Sequence, residues 1–140
     1  MKIRLVLALA ALGLCATPAA ADEVKLSAHL TGAAEKPAAD PDGAGHAMLK
    51  IDAAKNQICY DLMVEKIAPA TMAHIHKAGP DASGPVAVPL TKPGADGKVS
   101  GCATAAPDVV KDILANPGGY YVNVHNAEFG GGAVRGQLTK

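Results

Sequence analysis

The chain has 140 residues, with 13 basic and 13 acidic side chains, no tryptophan, one phenylalanine and three tyrosines. Balanced charge leaves no electrostatic footprint for nucleic acid or an anionic membrane surface. So few aromatic rings also leave no platform on which bases could stack, so a nucleic-acid partner is not expected.

Residues 1–21 read as a signal peptide. Lys2 and Arg4 open it, Leu5 to Leu14 form a short apolar run, and Pro18-Ala19-Ala20-Ala21 offers small residues for cleavage before Asp22. The run is too short to span a bilayer as a helix, so no transmembrane segment is expected. Cys15 raises a rival reading, a lipid-anchored N-terminus. Leu14 precedes it, however, where that machinery wants a small residue, and soluble export to the periplasm or medium is the expectation. The remaining residues, 22–140, suit one domain.

From Val24 to Leu30, apolar residues alternate with polar ones, as in a half-buried strand. Pro37 to Gly45 is a loop by composition. His46 to Asp52 resumes the alternation, Ala53 to Asn56 reads as a hairpin turn, and Ile58, Tyr60, Leu62 and Val64 line one face of a further strand. Ala70 to Lys77 is a strand carrying His74 and His76. Residues 79–84 form a loop, and Pro85 to Leu90 is a short strand placed at an edge by its prolines. Lys98 to Thr104 follows. Pro107 to Ala115 is the one helix expected, with Val110, Ile113 and Leu114 as its apolar stripe. Tyr120 to Asn126 and Val134 to Thr139 close the chain on either side of the glycines at 130–132. About eight short strands with glycine and proline turns predict an all-β antiparallel Greek-key sandwich with one short helix.

Cys59 and Cys102 are the cysteines left after cleavage, and in an exported protein two thiols usually pair. The alternative is two separate buried thiols.

Chemistry concentrates in two stretches. In Met72-Ala73-His74-Ile75-His76 the extended period puts both imidazoles on one face, about 7 Å apart at their origins. In Tyr121-Val122-Asn123-Val124-His125 the same period opposes Tyr121, Asn123 and His125 to the two valines. Were the two strands neighbours with their aliphatic faces inward, His74, His76 and His125 would meet on the outer face. Three imidazoles suit copper or zinc and leave a coordination position open, and the Met72 thioether on the same face would favour the cuprous ion. The competing reading is structural, with exposed histidines bonded to loop carbonyls and Asn123 and Arg135 holding a turn. His29 and His46, on polar strand faces, read as solvated. Asp61 and Glu65 read as surface charges, and Glu35 as a partner for a backbone turn. No nucleophile elbow, phosphate loop or dinucleotide fingerprint is present.

Several stretches in order resemble the chordin (CHRD) domain family: Leu30-Thr31-Gly32 with Glu35 and Pro37, Gly45-His46-Ala47, Ala73-His74-Ile75-His76 with Gly79, and Asp112 to Pro117 through Tyr120 to His125 and on to Arg135-Gly136-Gln137-Leu138. The similarity spans nearly all of residues 24–140, with Lys36 standing where the family usually has an apolar residue. It implies an extracytoplasmic domain, found in secreted antagonists of bone morphogenetic proteins in animals and in small exported proteins in microbes. The family in turn resembles the copper/zinc superoxide dismutase sandwich. On that likeness His74, His76 and His125 echo the copper ligands, and Arg135 echoes a residue that contacts the anion. No counterpart of the zinc sub-site is found.

Three readings follow. The first is a non-catalytic extracytoplasmic binding module for a protein or surface polymer. The second is a periplasmic copper- or zinc-binding protein using His74, His76 and His125. The third is a mononuclear copper superoxide dismutase-like enzyme.

Overall fold

Alternation of apolar and polar residues builds the wall of this fold, because a pleated strand turns every second side chain the same way. The computed structural model describes residues 23–140, so the expected signal peptide and Cys15 lie outside the described residues. The elements are β1 (Val24–Thr31), β2 (Ala44–Asp52), β3 (Gln57–Glu65), β4 (Ala70–Lys77), β5 (Val86–Leu90), β6 (Lys98–Thr104), α1 (Pro107–Ala115), β7 (Tyr120–Asn126) and β8 (Val134–Gln137). Leu26 and Leu30 of β1, Leu49 and Ile51 of β2 and Ile58 of β3 all point into the core. Each such side chain contributes about 1.5–3 kcal/mol by leaving water.

All strand pairs are antiparallel, in the order β5-β4-β7-β8-β1-β2-β3-β6. The chain leaves β3 for β4 and returns from β5 to lie beside β3 as β6, which is a Greek-key crossing. β5 ends the sheet, where its prolines placed it, and β6 ends it on the other side. The two ends approach each other, so the sheet curls into a nearly closed barrel. Tyr60 ties that seam, its hydroxyl accepting a hydrogen from Thr91 N at 2.8 Å. Gly101 leaves room for the ring, since a Cβ there would stand 2.8 Å from the Tyr60 hydroxyl.

Local chemistry explains the joints. At the β2–β3 turn Asn56 takes a φ of 51°, a left-handed conformation that asparagine tolerates better than most residues. Asp52 accepts hydrogens there from both Lys55 N and Lys55 Nζ. Val110 and Ile113 of α1 are buried in the core. Leu114, expected in the same stripe, is only partly buried against it. β8 is shorter than the alternation suggested. It ends at Gln137, and Thr139 joins the sheet only through an isolated bridge to Ser27. Cys59 and Cys102 are register partners on β3 and β6 and form a disulfide, so the reading as two separate thiols falls.

Candidate functional site

β4 and β7 are neighbours, with Met72 opposite His125, His74 opposite Asn123 and His76 opposite Tyr121. Ala73 and Ile75 face inward with Val122 and Val124, all fully buried. That apolar preference fixes the pleat, so His74, His76 and His125 share the outer face. Their ring centroids stand 5.0 Å apart for His74 and His125, 5.4 Å for His74 and His76, and 6.1 Å for His76 and His125. One nitrogen from each ring falls within 4.8 Å of the other two.

The sequence suggested an open outer face, and the structure differs. Every residue of β7 is buried, as is His76, while His74 is partly exposed. The segments between β4 and β5 and between β7 and β8 fold over this face and supply the cover. His76 Nδ1 donates to the Gly84 carbonyl at 2.9 Å, and His125 Nδ1 donates to the Gly130 carbonyl at 3.0 Å. A carbonyl can only accept, so the neutral form of each ring carries its hydrogen on Nδ1 and its lone pair on Nε2. His76 Nε2 is buried and has no hydrogen-bond partner. His74 Nδ1 lies 3.0 Å from His125 Nε2. Burial holds the pKa of His74 below its ordinary value, and the nearby His125 and His76 add to this. Burial also lowers that of His125, with His76 adding and the Gly130 carbonyl opposing. Met72, across from His125, is 47% exposed and stands at the rim.

Arg135, the anion contact that the superoxide dismutase likeness suggested, is engaged with the protein itself. It is 1% exposed and donates to the carbonyls of Ala82 and Gly79 and to Gln137 Oε1, at 3.0, 3.1 and 3.1 Å. Its guanidinium lies 3.6 Å from the centroid of the Tyr121 ring, and Tyr121 stacks in parallel on His76 at 5.0 Å. Gln137 Nε2 donates to the Ala78 carbonyl at 3.0 Å. Arg135 and Gln137 therefore clamp the covering loop, and Tyr121 passes that order on to His76. The loop approaches so closely at Gly84 that a Cβ there would collide with the Lys77 carbonyl.

Glu35 is the residue the sequence reading underrated. It is 4% exposed, and burial pushes its pKa up to about 7 against the opposing Arg135 charge and the Asn123 side chain. Its Oε1 has no hydrogen-bond partner. It packs against Gly132, whose φ of 133° and lack of a side chain let the carboxyl in. The glycine run beside an arginine was the available signal. His29, His46, Asp61 and Glu65 are exposed, as their polar strand faces indicated. Asp81, in the covering loop, is exposed and does not join the imidazole group.

Among the described residues, no helix is long and apolar enough to cross a membrane. A family model described as the CHRD domain matches residues 26–138. Comparison with curated proteins and with solved structures gives no match.

Proposed function

The chain belongs to the CHRD domain family, and we propose that it is an exported protein that holds one copper or zinc ion. His76 and His125 would ligate through Nε2 and His74 through Nδ1. The observation that carries this reading is the buried, unpartnered Nε2 of His76, aimed at a group where two other imidazole nitrogens converge.

The residues fit such an ion. Nitrogens around a metal with bonds of about 2 Å stand roughly 3.4 Å apart, and these lie within 4.8 Å of one another, so small ring rotations close the set. The Gly84 and Gly130 carbonyls fix two rings in the tautomer a metal needs, as outer-shell acceptors do in histidine metal sites. Depressed pKa values keep His74 and His125 unprotonated, so little proton competition remains at neutral pH. Such an ion would supply Lewis acidity or, as copper, one-electron chemistry. Export rests on the Lys2–Ala21 pattern and on the Cys59–Cys102 disulfide, which suits an oxidising compartment.

The convergent nitrogens support this reading over a module that only binds protein or surface polymer. Metal content and competition titration with copper(II) and zinc test it. Wild type should take up one ion at the site, and His74→Gln, a change at a partly exposed position, should weaken uptake by more than about 100-fold with an unchanged circular dichroism spectrum. Equal affinity in the folded variant would overturn the proposal. A superoxide assay on copper-loaded protein decides the dismutase form of it, and the clamping role of Arg135 weighs against that form.

A further inference from the structure

Beyond β8 in the sheet order from β4 and β7, on β1, β2 and β3, a second set of donors stands in line. The β1–β2 register pairs His29 with His46, and the β2–β3 register pairs His46 with Met63. All three lie on the outer face, because Leu30, Ala47 and Leu62 take the inner one. Met48 is two residues along from His46 on the same face and diagonal to Met63. We propose that His29, His46, Met48 and Met63 form an exposed binding site for a soft monovalent cation, copper(I).

Packing does not account for these methionines. Met48 is 42% and Met63 46% exposed, and their neighbours on this face are Ser27, Asp61, Lys98 and Ser100 rather than an apolar patch. Two long thioethers on a polar wall bury little, yet they flank two imidazoles. A shallow recess takes in His29, His46 and Met63, with Ala44 and Gly45 among its lining, and an adjoining one takes in His46, Met48 and Met63.

Distance and donor chemistry agree. Side chains directly opposite across antiparallel strands have Cβ atoms about 4.5–5.5 Å apart, and diagonal ones stand about 7–8 Å apart. Methionine has three rotatable bonds beyond its backbone and can close those gaps. Thioether sulfur selects copper(I) over zinc or copper(II), and imidazole completes a mixed set of low coordination number. This site differs in kind from the three-imidazole group. It is exposed where the other is covered, it is richer in sulfur, and it shares no residue with it. The inference does not depend on the function proposed above.

Silver(I), an air-stable analogue of copper(I), provides the probe. Protein labelled at the methionine methyl carbons is titrated with silver(I) and followed by NMR, both as wild type and with His74→Gln and His125→Gln together. The methyl signals of Met48 and Met63 should move in a saturable way in both proteins. Met48→Leu with Met63→Leu, changes at exposed positions, should weaken silver binding by about tenfold or more in the His74→Gln, His125→Gln background. Signals of Met48 and Met63 that stay fixed in excess silver overturn the inference. So does movement of Met72 alone, which would locate the cation at the three-imidazole rim and leave the first proposal standing.

Discussion

His74 Nδ1 stands 3.0 Å from His125 Nε2, although the two residues are 51 positions apart in the chain. The Gly130 carbonyl holds the hydrogen of His125 on Nδ1, so the nitrogen facing His74 is a lone pair. One hydrogen from His74 can fill this gap, and an ion placed there would displace it. A further proton has no comfortable place. NMR titration of the ring carbons should therefore give His74 and His125 midpoints below the ordinary 6.5. A lowered folded pKa means that the stability contributed by these neutral rings is complete above the ordinary 6.5 and is lost as pH falls from there through the folded midpoints. Midpoints at or above 6.5 for both would contradict the burial argument.

The covering loop orients His76, and Gly84 makes its close approach possible. Gly84→Ala would drive a methyl into the Lys77 carbonyl and lift the Gly84 carbonyl from His76 Nδ1. Loss of one outer-shell acceptor usually costs metal affinity by about 10–100-fold. Competition titration should show that loss in a protein whose strands remain intact. Unchanged affinity would mean that the carbonyl does not set the ring.

Arg135 provides a second, independent handle on the same loop. Lysine keeps the charge but cannot reproduce the planar fork that reaches Gly79 and Ala82 together. Arg135→Lys should lower stability by about 2–4 kcal/mol in urea denaturation, since buried carbonyls lose charged donors. Amide exchange should quicken across residues 78–84. A loss below about 0.5 kcal/mol, the level of an ordinary surface substitution, would refute the clamp.

Glu35 sets a pH dependence of opposite sign. Its folded pKa is raised from 4.5 to about 7, so the native state binds the proton more tightly than the unfolded chain does. The stability it contributes is complete below pH 4.5 and is lost as pH rises through about 7. Glu35→Gln mimics the protonated acid. It should match wild type near the acid end of that window and exceed it by up to about 3 kcal/mol above it. Comparing the two proteins at each pH removes the histidine contribution. Parallel stability curves would show that Glu35 titrates normally.

The Cys59–Cys102 disulfide spans 43 residues, a loop whose closure entropy corresponds to roughly 4 kcal/mol. It joins β3 to β6 and so closes the segment containing the β4–β5 hairpin, in a core with few aromatic rings. Cys59→Ser with Cys102→Ser should reduce unfolding free energy by about that amount, and wild type under reducing conditions should follow. Identical denaturation midpoints would dismiss the staple.

The strands and their faces were legible in the sequence, because the pleat is a local property. Ile75, Val122 and Val124 declare an inner face, and His74, His76 and His125 then fall on the other without reference to the rest of the chain. Export suggested the cysteine pair. The sequence by itself could not decide that β4 lies beside β7, since each strand satisfies its own alternation with any neighbour. Pairing between strands distant in the chain made that choice. Tertiary structure also decided that the outer face is covered, that the Gly84 and Gly130 carbonyls dictate which nitrogens are free, and that Arg135 is spent holding a loop. Each of these depends on backbone atoms brought close by long-range pairing, and backbone carbonyls carry no residue-specific signal. The same holds for His29, His46 and Met63. Separately they are ordinary surface residues, and only the register of three strands sets them in a row.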